Sequence, residues 1–147
     1  MSAQALSEAS ELARFLGLRD WRKTSEIDLV SKVKTGFPAQ AVEDVFSKVQ
    51  LRAPQHIHAF IPKATYARKL KAKRLSRSES ERLLSITKVF NEVLRLYGGD
   101  TGAAEQFLTR RHPMLGKRAP VDLAVESTAG ADLVLKLLAR ADAGVAV

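Results

Sequence analysis

Apolar side chains recur every three or four residues along most of this chain, the spacing that gathers them on one face of an α-helix. Leu6, Ala9, Leu12, Ala13 and Leu16 mark a first helix over Ser7 to Leu16, which Gly17 stops. Thr24 and Ser25 offer caps for a second, carrying Ile27, Val30 and Val33 and ending at Gly36. Pro38 sits where a proline is tolerated, just inside the start of a third helix with Val42, Val45, Phe46 and Val49. These three helices read as scaffold. Trp21, in the polar stretch between the first two, reads as a lid over the core, with an interface anchor as the alternative.

The pattern then changes. A short helix around Pro54 to Phe60 meets a break at Ile61-Pro62, and a basic helix runs from about Lys63 to Lys73. Pro62 cannot continue the preceding helix but can begin the next. The pair has the local form of a helix-turn-helix, with Leu70 and Ala67 expected to face inward. Ser78-Glu-Ser-Glu81 matches the capping box, in which a serine hydroxyl takes an exposed amide and a glutamate reaches back to the cap. A helix therefore starts near Ser78. Leu83, Leu84, Ile86, Val89, Phe90, Val93, Leu94 and Tyr97 make it too widely apolar for one face, until Gly98-Gly99 ends it. Such a helix must be buried, against its neighbours or another chain, and it reads as the spine joining two halves. Shorter elements follow: Thr101 to Leu108, a loop through His112-Pro113 and Gly116 to Pro120, a helix from Pro120 to about Glu126, and a last one from Thr128 to Arg140. Leu133, Val134, Leu137 and Leu138 form the stripe of that last helix, and Gly144 releases an apolar tail.

Composition narrows the class. At 147 residues and 46% hydrophobic content the chain can bury a real core within one domain or two small lobes. With only 6% aromatics, and with Ala, Leu and Val dominant, that core is helical, so the fold class is all-α. The absence of cysteine excludes a disulfide framework and thiol chemistry. His56, His58 and His112 have no ligand-type carboxylate pattern around them, which leaves no metal or cofactor expected. No apolar run approaches the roughly 18 residues of a membrane span, and Met1-Ser-Ala-Gln lacks a signal-peptide layout. The expectation is a soluble cytoplasmic protein with no membrane partner.

Charge singles out one segment. Residues 61–90 hold nine Lys and Arg against two Asp and Glu, so +7 of the net +8 resides there. Six cations fall within the twelve positions 63–74. Concentration of this kind is the footprint of a phosphate-backbone binder, although a solvated helix face has the same composition. In a helix-turn-helix the second helix enters the major groove. Lys63, Thr65, Tyr66, Arg68 and Lys69 are then candidates for the base edges, and Lys71, Lys73 and Arg74 for phosphate contacts. No Ser/His/Asp set or phosphate-cradling glycine loop competes for an enzymatic role, and His112 beside Pro113 is most simply a turn residue.

Residue order carries a resemblance. Tyr97-Gly-Gly-Asp100, Ala104, Phe107-Leu108, Pro113-Met-Leu-Gly116, Arg118-Ala-Pro120, Leu123-Ala124, Thr128-Ala-Gly130, Val134, Leu137-Leu138, Arg140 and Gly144 resemble the C-terminal toxin-binding domain of the Xre/MbcA/ParS antitoxins. Gly36-Phe-Pro38, Ile61-Pro-Lys-Ala-Thr65 and Leu75-Ser-Arg-Ser-Glu-Ser80 resemble the Xre-like helix-turn-helix of the same proteins, so that residues 25–147 are covered. Lys117 stands where a second glycine is frequent, Phe107 where tryptophan is, and Ala119 where threonine is.

The resemblance implies an antitoxin, not an enzyme, that neutralises a RES-domain toxin acting on NAD and represses its own operon by binding promoter DNA. By position, Arg140, Gly144, Val145, Ala146 and Val147 belong to a plug at the toxin's NAD pocket, with Leu115, Gly116 and Arg118 framing it. The organisation expected is a DNA-binding region over 1–75, a connecting helix over 76–98 and a toxin-binding domain over 99–147. Pairing on two half-sites implies a homodimer or a toxin-antitoxin heterotetramer, for which the Leu83 to Tyr97 helix offers a surface. A stand-alone helix-turn-helix regulator is the alternative reading.

Overall fold

Helix starts in this chain are set by short polar side chains that take an exposed backbone amide. Ser7, Ser25, Ser76, Asp100 and Ser127 each accept a hydrogen bond from the amide three residues on. Pro54 and Pro120 occupy the first helical position, where a missing N–H costs nothing. A computed structural model describes residues 6–144. It contains α1 (Glu8–Phe15), α2 (Glu26–Thr35), α3 (Ala41–Ser47), α4 (Pro54–Phe60), α5 (Lys63–Ala72), α6 (Arg77–Leu96), α7 (Thr101–Thr109), α8 (Pro120–Glu126) and α9 (Thr128–Asp142). Short 3-10 turns lie at Trp21–Lys23 and Pro113–Leu115. Among the described residues β-pairing is confined to two isolated bridges, Pro38 with Arg74 and His112 with Arg118. No helix there is long and apolar enough to cross a membrane.

α6 is the axis. Leu83, Ile86, Val89, Phe90 and Val93 are fully buried along it, and α1, α2, α3, α7, α8 and α9 all pack against it. Phe90 meets Phe46 of α3 edge to face at 5.4 Å, and Phe46 lies 6.2 Å from Phe60 of α4. The apolar side of α6, which the sequence offers equally to a second copy, is thus largely covered within the chain, with Leu84 and Leu94 partly buried and Tyr97 exposed at its end. Lys48 ties α1 to α3, donating to the Phe15 and Asp44 carbonyls at 2.8 and 3.2 Å. Burial pushes its pKa down despite the opposing field of Asp44. Trp21 packs against the core, and the guanidiniums of Arg14 and Arg22 lie over its ring at 5.2 and 4.7 Å from the centroid.

Several expectations change. α6 is capped by Ser76, not Ser78: the Ser76 hydroxyl takes the Glu79 amide and the Glu79 carboxylate takes the Ser76 amide. Both serines satisfy the same local rule, and tertiary contacts choose. Buried Leu75 donates to the Phe37 carbonyl at 2.9 Å, and the Ser80 hydroxyl accepts from the Phe37 amide at 2.9 Å. Pro38 lies before α3 in the bridge to Arg74, not inside the helix. In α2 the buried residues are Leu29 and Val33, while Ile27 and Val30 are 70% and 61% exposed. In α9 Leu133 is exposed and Ala131 is buried in the stripe with Val134, Leu137 and Leu138. In α5 no residue is fully buried, and Ala67 and Leu70 face solvent.

Candidate nucleic-acid and partner surfaces

The α4–α5 turn is built by proline. Pro62 forces Ile61 into an extended conformation (φ −138°), so α4 ends and α5 begins within two residues. Phe60 and Ile61 are buried, which pins the turn to the core. Arg82 of α6 holds it from the other side. Its guanidinium donates to the Phe60 carbonyl at 3.0 Å and lies 4.7 Å from the Phe60 ring centroid. The far end of α5 is pinned by backbone. Lys73 turns left-handed (φ 63°), the Arg74 guanidinium reaches the Thr35 carbonyl at 3.1 Å, and the Ala39 amide donates to the Lys73 carbonyl at 3.3 Å. Gly36 makes this closeness possible: a Cβ there would lie 2.2 Å from the Leu75 carbonyl oxygen, and its φ is +100°.

These anchors fix which side of α5 looks out. Thr65, Tyr66 and Lys69 are half-buried. The Tyr66 ring packs against the core 6.4 Å from the His58 ring. Its phenol pKa is raised by burial first, then by the fields of Glu43 and Asp44. Lys69 pairs with Glu79 at 3.4 Å. Lys63, Arg68, Lys71, Lys73 and Arg74 are exposed. Of the eight candidate DNA contacts, five are therefore exposed, on α5 or just beyond it, and three belong to the side that docks α5. Arg19 of the α1–α2 loop and Lys32 of α2, which no linear motif marks, converge with Lys73 and Arg74 around one surface cleft that Asp20 and Asp44 also line. Only the tertiary fold reveals them.

The second region is the C-terminal lobe. His112 closes the turn before α8. Its Nδ1 accepts from the Met114 amide at 3.1 Å, and its backbone pairs with Arg118. Leu115 is buried beneath this turn, whereas Gly116 and Arg118 are exposed. Arg118 forms an ion pair with Glu126 of α8. Gly116 and Lys117 are both left-handed, at φ 64° and 63°. Arg140 and Gly144 are exposed at the end of α9, and Val145, Ala146 and Val147 lie outside the described residues. Among the described residues no hydrogen bond or ion pair joins the 115–118 turn to Arg140 or Gly144. The root of the tail is tied instead to α6: Arg95 reaches Asp142 at 2.9 Å and also pairs with Glu92. Hydrogen bonds to Glu92 and Asp142 raise the Arg95 pKa. Tyr97, Phe107 and His112 form an aromatic row with centroid spacings of 6.1 and 6.4 Å, flanked by Arg110 and Arg111. Sequence reading took Tyr97 for core, yet it is exposed.

Among the described residues no three His, Cys, Asp or Glu side chains come together as a metal site. The two regions share one residue: Arg82 donates also to the Val125 carbonyl, at 2.7 Å, at the end of α8.

Comparison with known proteins divides the chain at the same element. Residues 28–88 match the family described as the antitoxin Xre-like helix-turn-helix domain. Residues 92–144 match the antitoxin Xre/MbcA/ParS C-terminal toxin-binding domain. The Antitoxin Xre of Yersinia enterocolitica serotype O:8 / biotype 1B is 30% identical over 129 residues, covering 80% of this chain and 80% of that protein.

Proposed function

Because this chain belongs to the Xre/MbcA/ParS antitoxin family, we propose that it neutralises a RES-domain toxin by seating its C-terminal segment at the entrance of the toxin's NAD pocket. It is a non-enzymatic regulator with a helix-turn-helix domain and a toxin-binding domain. In this reading residues 1–75 hold promoter DNA and repress the operon, α6 connects, and residues 99–147 inhibit. Both acts take place in the cytoplasm, with a homodimer or a toxin-antitoxin heterotetramer spanning two half-sites.

The observation that carries the inhibitory half is the exposed end of α9. Leu138 is the last buried residue of that helix, and Ala139 to Gly144 are all exposed. An arm that adds nothing to the core is available to a partner. Arg140 supplies a cation at its root, and the sequence supplies the apolar Val145-Ala-Val147 beyond. Filling a cofactor pocket with such a segment excludes NAD by occupancy, with no bond made or broken.

Cutting the chain after Leu138 tests this. The core is untouched and the lost Arg95–Asp142 pair lies on the surface, where such pairs contribute little, so the truncated protein keeps its helical circular dichroism and melting temperature. It is expected to lose the ability to rescue growth of cells expressing the neighbouring toxin. Rescue by the truncated chain would remove the plug from the mechanism.

A further inference from the structure

α5 is amphipathic in an unusual sense. At about 100° per residue, its half-buried residues Thr65, Tyr66 and Lys69 occupy one side, so the side that docks onto the protein is built of a hydroxyl, a phenol and an ammonium. The opposite side carries Ala64, Ala67 and Lys71, with Lys63 and Arg68 at its flanks and Leu70 on its shoulder, 41% exposed. Every one of these six is exposed. A face made only for solvent gains helix propensity from its alanines but nothing from a leucine exposed on its shoulder. A partner that is polyanionic at its edges and apolar at points between them makes use of both.

Duplex DNA presents that chemistry in the major groove, where thymine 5-methyl groups project between two rows of phosphates. Short side chains on the facing strip let a helix backbone approach the base edges closely, and α5 bears no acidic residue to repel the phosphates. An anionic lipid surface would also attract the cations, but alanine methyls reach too little beyond the backbone to bury area in an acyl layer. We propose that Ala64, Ala67 and Leu70 are base-reading residues that contact thymine methyl groups, while Lys63, Arg68 and Lys71 hold the phosphates around them. This rests on the DNA-binding half of the function proposed above.

The full chain is titrated with the duplex upstream of its own reading frame, and with the same duplex made with deoxyuridine for thymidine, which removes only the 5-methyl groups. The methyl-free duplex is expected to bind more weakly by about fourfold for each contacted methyl, the value of one buried methyl-sized group. The slope of affinity against salt stays the same, because the phosphates are unchanged. The double variant A67S/L70A, whose changes are solvent-facing, is expected to bind the two duplexes with affinities closer to each other than the parent does. Equal affinity of the unaltered chain for both duplexes, with normal salt dependence, leaves DNA binding standing and overturns the methyl contacts. Failure to bind either duplex, or binding only to vesicles containing anionic lipid, overturns the DNA-binding reading and this inference with it.

Discussion

Lys117 holds a backbone conformation that its own Cβ disfavours. Gly116 and Lys117 are successive left-handed residues, φ 64° and 63°, in the turn that the His112–Arg118 bridge closes. A left-handed non-glycine residue costs roughly 1–2 kcal/mol. This is the physical content of a lysine standing where the resemblance leads one to expect a second glycine. Lys117→Gly should stabilise the protein by up to about 1 kcal/mol, since relief of strain exceeds the added unfolded-state freedom of glycine. Urea denaturation measures it, and destabilisation would show that the Lys117 side chain contributes more than its backbone costs. Gly130 is constrained differently, by approach: a Cβ there would sit 2.0 Å from the Leu123 carbonyl oxygen, which fixes how closely α9 packs on α8.

At the scale of elements, α5 is the weakly held one. Apart from the bridge at its end, Tyr66 and the Lys69–Glu79 pair tie it down, and Glu79 also closes the cap of α6. Burial alone would push the Glu79 carboxyl up. Hydrogen bonds at Ser76 and the neighbouring Lys69 outweigh it and hold the pKa below the ordinary 4.5. A carboxylate with a depressed folded pKa stabilises above its unfolded value and loses that contribution as pH falls through the folded one. The stability gap between the parent and Glu79→Ala, about 1 kcal/mol at neutral pH, should therefore close as pH falls below about 4.5. Thermal melts of both proteins across that range test it. A gap that persists unchanged under acid would place the stabilisation elsewhere than in the charge of Glu79.

For the molecule as a whole, Arg82 links the two family-matched regions. It lies within residues 28–88 and donates to Val125 within residues 92–144, while also holding Phe60 beside the α4–α5 turn. Hydrogen bonds from a charged donor are worth about 1.5–3 kcal/mol, and the two carbonyls have no equivalent replacement. Arg82→Met keeps an unbranched apolar stem, removes the guanidinium, and is expected to cost about 2–3 kcal/mol. With α6 buried against helices of both lobes, calorimetry should show one unfolding transition for the parent. Two transitions would mean that the lobes fold independently despite the shared helix.

Local chemistry was readable from the residues alone. Proline at a first turn, serine before a helix and glycine after one act within a few bonds, so α4 and α8 run over Pro54–Phe60 and Pro120–Glu126 as the sequence predicts, and Gly36 and Gly98 end their helices. The all-α class and the α4–α5 break follow from residue patterns, whereas the order of the two regions was carried by the family resemblance. The buried face was readable for α1, α3 and α6 but not for α2 and α5, and only in part for α9, because those three each carry more than one stripe apolar enough to be chosen. Neighbours made the choice, turning Ile27, Val30, Leu70 and Leu133 to solvent and Tyr66 inward. The cap of α6 was decided the same way, between two serines with identical local prospects, by the burial of Leu75 and Ser80. Periodicity states that a helix has sides, and only packing against the rest of the chain assigns one of them to the core.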